Sequence, residues 1–207
     1  MTQNFDWDRD PQRLGTYALM SGENPDLELF ANDGRKIILF HGWADANNTP
    51  YTNTHYYERV VRVMGGLAET QKFARLFMFP GMYHWDGGYG VNLADLLGAL
   101  DAWVENGTAP DMITAYSVEG QGVGPISAPA SFTGANAATF NPKFSRPIFP
   151  YPDSYRYSGG DQTSAASFKR VRGTMERSSA ASKGRSRGLK EPTALRAARR
   201  SHPRESV

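Results

Sequence analysis

Thirteen residues, Phe73–Trp85 (FARLFMFPGMYHW), form an apolar run that breaks at Pro80-Gly81 and then presents His84. A run of this kind, bounded by a turn, is the pattern of a strand buried on both faces. Lys36–Phe40 (KIILF) repeats it after the Asn32-Asp33-Gly34 turn and opens into His41-Gly42-Trp43-Ala44-Asp45. Between the two, Tyr56, Val60 and Val63/Met64 fall on one helical face, with Asn53 or Thr54 as N-cap and Gly65-Gly66 as stop. Strand, helix and strand make a βαβ unit with parallel strands and a right-handed crossover. Asp45 and His84 then leave the same edge of one sheet. Open α/β sheets bind ligands beyond the carboxyl ends of their strands, so a histidine there is placed for chemistry.

The pattern continues on both sides of this unit. Asn24-Pro25-Asp26 reads as a turn into a short helical piece, Leu27–Phe30. After the glycine-rich loop Asp86–Gly90, the residues Leu93, Leu96, Leu97, Leu100, Trp103 and Val104 recur at helical spacing, with Asn92 available as N-cap and Asn106-Gly107 as stop. Met112–Val118 suits a further strand. From there to about Asn141 the chain is rich in Gly, Pro, Ala and Ser without a period, and reads as loop. Arg146–Tyr157 is aromatic and proline-rich, an extended segment laid over the surface. The expected fold class is α/β, with a parallel βαβ unit, packed helices and a long irregular C-terminal region.

Charge divides the chain. Residues 1–168 carry 11 Lys/Arg against 18 Asp/Glu, a net −7, whereas residues 169–207 carry 12 against 3, a net +9. Two segments are therefore expected, a folded domain over 1–168 and a disordered basic tail over 169–207. The 40% hydrophobic and 12% aromatic content can build a core, and no apolar run approaches the roughly 20 residues of a membrane-spanning helix. The acidic N-terminal stretch lacks the apolar segment of an export signal. Without cysteine, disulfides, thiolate nucleophiles and Cys-based metal sites are excluded.

A hydrolytic triad needs a nucleophile, an imidazole that takes and returns its proton, and a carboxylate that holds the imidazole's tautomer. Asp45 and His84 supply the last two, in the order acid then histidine that α/β-hydrolases use after an earlier serine. His55 and His202 read as incidental. Gly120–Gly124 (GQGVG) is followed by Pro125 rather than a helix and reads as a connection. Asp6, Asp8, Asp10 and Asp86 match no metal-loop spacing, and no metal site is expected.

Four stretches carry a family resemblance: HGWADANNTPYTNTHYYERV, FARLFMFPGMYHWDGG, LLGALDAWVENGTAPD and RPIFPYPDSYRYSGGDQTSAASF. In this order they resemble the C-terminal part of the tannase and feruloyl esterase family of serine carboxylic-ester hydrolases, over most of residues 5–168. The resemblance implies a partial α/β-hydrolase fold, Asp45 as catalytic acid, His84 as base, and esters of phenolic acids such as gallate or ferulate as substrates. Trp43, Tyr83 and Trp85 are candidates to line an aromatic substrate pocket.

The resemblance also sets departures. The family's Gly-x-Ser-x-Gly nucleophile turn belongs upstream of the acid, and none precedes Asp45, so the isolated chain is expected to be inactive. The family's calcium site belongs to a lid that follows that serine, so no cofactor is expected in this chain. Family members are usually secreted or periplasmic, and they carry a cysteine beside the histidine where Trp85 stands. Further family cysteines fall at Phe149 and around Arg170. The rival expectation is a non-catalytic hydrolase-fold fragment or pseudoenzyme that binds polyanions through residues 169–207, without the interleaved aromatics of a nucleic-acid binder. A partial sheet leaves an uncovered edge through which the chain could self-associate. Beyond a phenolic ester, neither a membrane nor a nucleic acid is an expected partner.

Overall fold

The computed structural model describes Asp6 and residues 8–10, 22–119 and 132–175. Its organising pair is β1 (Ile37–Gly42) and β2 (Ala74–Phe79), which run parallel with Ile37 beside Ala74 and Gly42 beside Phe79. Their crossover holds α1's successor in the chain: α1 is Glu28–Asn32, and between the strands lie α2 (Tyr51–Val63) and the single turn α3 (Leu67–Thr70). The βαβ unit read from the hydrophobic pattern is present.

Alternation along β2 divides the core. Phe77 and Phe79 face one way and join Leu96, Ile113, Ala115 and Ile148, with Ile38 and Phe40 packed against them. Leu76 and Met78 face the other way and meet Tyr57, Val61 and Phe73, with Ile37 and Leu39 alongside. Every residue of β2 is buried, including Arg75, whose guanidinium pairs with Asp111 at 2.6 Å. Each of its large apolar side chains removed from water contributes about 1.5–3 kcal/mol.

Several expectations need correction. β1 is only half-buried from Ile37 to Phe40, because among the described residues its second edge has no strand partner. α2 starts at Tyr51 behind Pro50, whose fixed φ of −59° suits a helix start, so neither Asn53 nor Thr54 is the N-cap. Its buried face is Thr54, Tyr57, Val60 and Val61, with Tyr57 and Val61 packed on β2 and the Tyr57 hydroxyl donating to the Ala74 carbonyl at 3.0 Å; Val63 is exposed. The later helix α4 (Leu96–Asn106) is capped by Asp95, which accepts from Gly98 N–H at 2.8 Å, and ends at left-handed Gly107. Asn92 is engaged elsewhere: its Nδ2 donates to the Val118 carbonyl and its Oδ1 accepts from Val118 N–H, both at 2.9 Å.

The remaining strands do not extend the parallel pair. β3 (Leu93–Ala94), β4 (Ile113–Ser117) and β5 (Phe144–Ile148) form an antiparallel sheet in that order, and β6 (Ser154–Tyr157) pairs antiparallel with β7 (Phe168–Val171). The segment Arg146–Tyr157 is thus structural rather than a surface strap. Ile148 is buried, Pro150 bridges to Phe77, and Tyr151 N–H donates to the Leu76 carbonyl at 2.8 Å. Within the expected loop after Val118, Gly134–Phe140 is a 3₁₀ helix, while residues 120–131 lie outside the described residues. The charge boundary at 168/169 falls inside β7, so Lys169–Val171 are paired strand residues. The basic segment beyond Met175 also lies outside the described residues.

Candidate active site

Both strands of the parallel pair stop together, and their continuations cross. Trp43 N–H donates to the Phe79 carbonyl at 2.9 Å and Ala44 N–H to the Met82 carbonyl at 3.0 Å, which ties the HGWAD turn to the PGMYHW loop. Gly42 permits this approach, because a Cβ there would fall on the Met82 and Tyr83 carbonyl oxygens. Gly90 closes the loop's other end: its N–H donates to the Gly81 carbonyl at 3.2 Å, and a Cβ there would fall on the Pro80 carbonyl.

This stitching brings His84 Nδ1 to 2.7 Å from Asp45 Oδ2. The Asp45 side chain is fully buried, whereas a third of the His84 side chain remains exposed. Asp45 Oδ1 accepts from the backbone N–H groups of Asn47 at 2.8 Å and Asn48 at 2.9 Å. Asp45 therefore forms a local turn and holds an imidazole with the same carboxyl group. Burial pushes that carboxyl up, but the Asn48 amide, the His84 ring and the Asn47 amide outweigh it and hold the group below its ordinary value. It is an anion and can only accept, so the proton between the pair sits on His84 Nδ1; in the neutral ring Nε2 then holds the lone pair. This arrangement can accept a proton at Nε2, and the buried Asp45 carboxylate then stabilises the imidazolium that forms.

A second imidazole was not assigned any role from sequence. His41, buried next to the end of β1, places Nε2 2.9 Å from the same Asp45 Oδ2 and 3.1 Å from the Asn48 carbonyl. The available signal was a histidine closing an apolar strand four residues before an aspartate.

The three aromatic candidates are each partly exposed and occupy different places. The Trp85 ring lies 4.4 Å from the His84 ring, tilted by 53°. Trp43 packs edge-on to Tyr51 at 6.2 Å and lines a cavity of about 270 Å³ with Pro80, Phe149, Tyr151 and Tyr155. Tyr83 packs edge-on to Tyr89 at 5.9 Å and lines another of about 600 Å³ with Asp86 and Lys143. Phe149, at one expected cysteine position, and Arg170, in the region of another, are brought together, with the guanidinium 5.3 Å from the ring centroid. Among the described residues no group of three or more His, Asp or Glu is placed to hold a metal ion, and no helix is long and apolar enough to cross a membrane. A Gly-x-Ser-x-Gly string does occur at 184–188, but it follows His84 in the chain and lies outside the described residues.

The profile of the family described as tannase and feruloyl esterase matches residues 4–171. The mono(2-hydroxyethyl) terephthalate hydrolase of Piscinibacter sakaiensis is 39% identical over 174 residues, covering 79% of this chain and 26% of that protein. A probable feruloyl esterase of Arthroderma benhamiae is 36% identical over 155 residues, 73% of this chain and 25% of its own length. The crystal structure of an esterase from Aspergillus oryzae superimposes with a TM-score of 0.61 at 24% identity, covering 81% of this chain and 34% of that one, and supports the fold. The chain spans about a quarter of the length of these curated relatives. With the parallel pair and its following loops inside the matched region, the chain belongs to the tannase and feruloyl esterase family.

Proposed function

We propose that this chain supplies the acid and base of a carboxylic-ester hydrolase acting on phenolic-acid esters, with Asp45 as acid and His84 as base. The observation that carries the reading is the 2.7 Å contact between His84 Nδ1 and the buried Asp45 carboxylate, at the carboxyl ends of adjacent parallel strands. In this reading a serine from a Gly-x-Ser-x-Gly turn preceding these residues in the complete protein gives its proton to His84 Nε2 and attacks the ester carbonyl. The alcohol leaves with that proton. Water, deprotonated by His84 in turn, releases the acid and restores the serine.

The test is hydrolysis of a ferulate or gallate ester by the complete protein. His84→Ala should lower kcat by about 10³-fold or more. Turnover indifferent to that change would remove Asp45 and His84 from the mechanism. The same assay on these 207 residues alone should show no His84-dependent turnover.

The +9 charge of residues 169–207 favours a second reading, in which a non-catalytic member of the family binds polyanions. Absence of an upstream nucleophile turn in the reading frame, together with salt-sensitive retention on heparin, would favour it over the esterase.

A further inference from the structure

Asp45 Oδ2 receives two imidazoles. His84 Nδ1 lies at 2.7 Å and His41 Nε2 at 2.9 Å. The direction of the second bond follows from its surroundings. His41 Nε2 also sits 3.1 Å from the Asn48 carbonyl, and a carboxylate and a carbonyl can only accept, so the His41 proton is on Nε2. The ring is buried and its bond to Asp45 is shielded from solvent.

We propose that His41 is a positioning residue for this site: by sharing Asp45 Oδ2 with His84, it sets how strongly Asp45 holds the His84 Nδ1 proton. A carboxylate oxygen that accepts two donors divides its electron density between them, so each bond is weaker than it would be alone. The other oxygen is held by the Asn47 and Asn48 amides, which keeps the carboxylate in place whether or not His41 donates. The His41–Asn48 contact also closes the turn from the strand side. Residues 45–48 are therefore clamped by backbone amides at one oxygen and by a side-chain donor bridging the other oxygen to a carbonyl. The consequence for ester hydrolysis rests on the acid–base reading above; the shared oxygen does not.

The experiment is proton and ¹⁵N NMR of the full chain, without substrate. In the unaltered protein His41 should show the Nε2–H pattern and His84 the Nδ1–H pattern, with the His84 Nδ1 proton downfield. His41→Phe removes the competing donor and should move that proton further downfield, whereas His41→Gln keeps an N–H near the same position and should return it toward its original place. An Nδ1–H pattern on His41 in the unaltered chain overturns the proposal without any variant. So does a His84 signal that stays or moves upfield in His41→Phe. Loss of ester hydrolysis in His84→Ala tests the esterase reading separately, so the two can fail independently.

Discussion

Asp45 and His84 are 39 positions apart in sequence, yet Oδ2 of one lies 2.7 Å from Nδ1 of the other. The contact depends on β1 and β2 ending at the same level, with Gly42 beside Phe79. Asp45→Asn should keep the turn at Asn47 and Asn48 but lose the anionic acceptor for both imidazoles. In the complete protein kcat should fall by about 10³–10⁴-fold with little change in KM. In this chain the downfield His84 Nδ1 proton should disappear from the NMR spectrum. Persistence of either would separate the contact from the chemistry.

Gly42→Ala tests how the two loops are stitched. Its Cβ would meet the Met82 and Tyr83 carbonyls, which are backbone and cannot rotate away. The expected cost is about 2–4 kcal/mol, seen as a lower urea midpoint, together with loss of the His84 Nδ1 signal as the loop moves off Asp45.

Much of this was readable from sequence, for physical reasons that differ by element. β2 was legible because all six residues are buried and five of them are apolar, Arg75 being the exception that reaches Asp111. β1 opens on a similarly apolar stretch, yet Ile37 to Phe40 lie half-buried, since burial depends on a neighbour that composition cannot report. The face of α2 centres on Tyr57 rather than Tyr56, where it packs with Phe73, Leu76 and Met78 and bonds the Ala74 carbonyl, tertiary contacts with no local signature. Asn92 has the chemistry of an N-cap, and only the antiparallel approach of Val118 turns it into a cross-link. Lys169–Val171 were hidden in a basic composition, although Phe168 opens their strand and pairs beside Tyr157. At the site, Asp45 and His84 were legible from their places after strands. His41 was not, because a histidine ending a strand looks like ordinary packing until Asp45 folds back onto it.

Asn92 should be among the costly polar positions to change. It is 1% exposed and satisfies both backbone groups of Val118. Asn92→Ala leaves a donor and an acceptor without their partner and should destabilise the chain by about 2–4 kcal/mol. Thermal unfolding measures it, and an unchanged melting temperature would show that water replaces the amide.

Acid should weaken the fold through Asp153 as well as Asp45. Burial pushes the Asp153 carboxyl up, but the Gly173 amide, Arg170 and Arg172 outweigh it and hold it below its ordinary value. Its contacts are Arg170 Nε at 2.5 Å, Gly173 N–H at 2.9 Å and Arg172 Nη1 at 3.1 Å. A carboxylate with a lowered folded pKa stabilises fully above its unfolded value, near 4, and loses that contribution as pH falls through the lower folded value. Melting temperature should therefore drop below about pH 4, and less steeply in Asp153→Asn. Equal slopes would show that the arginine contacts add nothing.

Among the described residues no strand pairs with the second edge of β1, and this predicts association. Ile37 N–H bonds across to Phe73, so by alternation Ile38, Phe40 and Gly42 turn their backbone groups outward. Asn53 Nδ2 meets the Phe40 carbonyl at 3.3 Å, a side chain standing where a strand would donate. Sedimentation of this chain should show mass rising with concentration, and Asn53→Lys, by placing a charge on that edge, should suppress the rise. A strictly monomeric chain would contradict this.

Trp85 gives the site an optical output. Its indole lies 4.4 Å from the His84 ring, within range for a protonated imidazole to quench it by electron transfer, whereas the neutral ring quenches far less. Emission from this tryptophan should therefore follow the charge state of its neighbour, so that the side chain standing where the family resemblance implies a sulfur would let proton traffic at the histidine be watched with light.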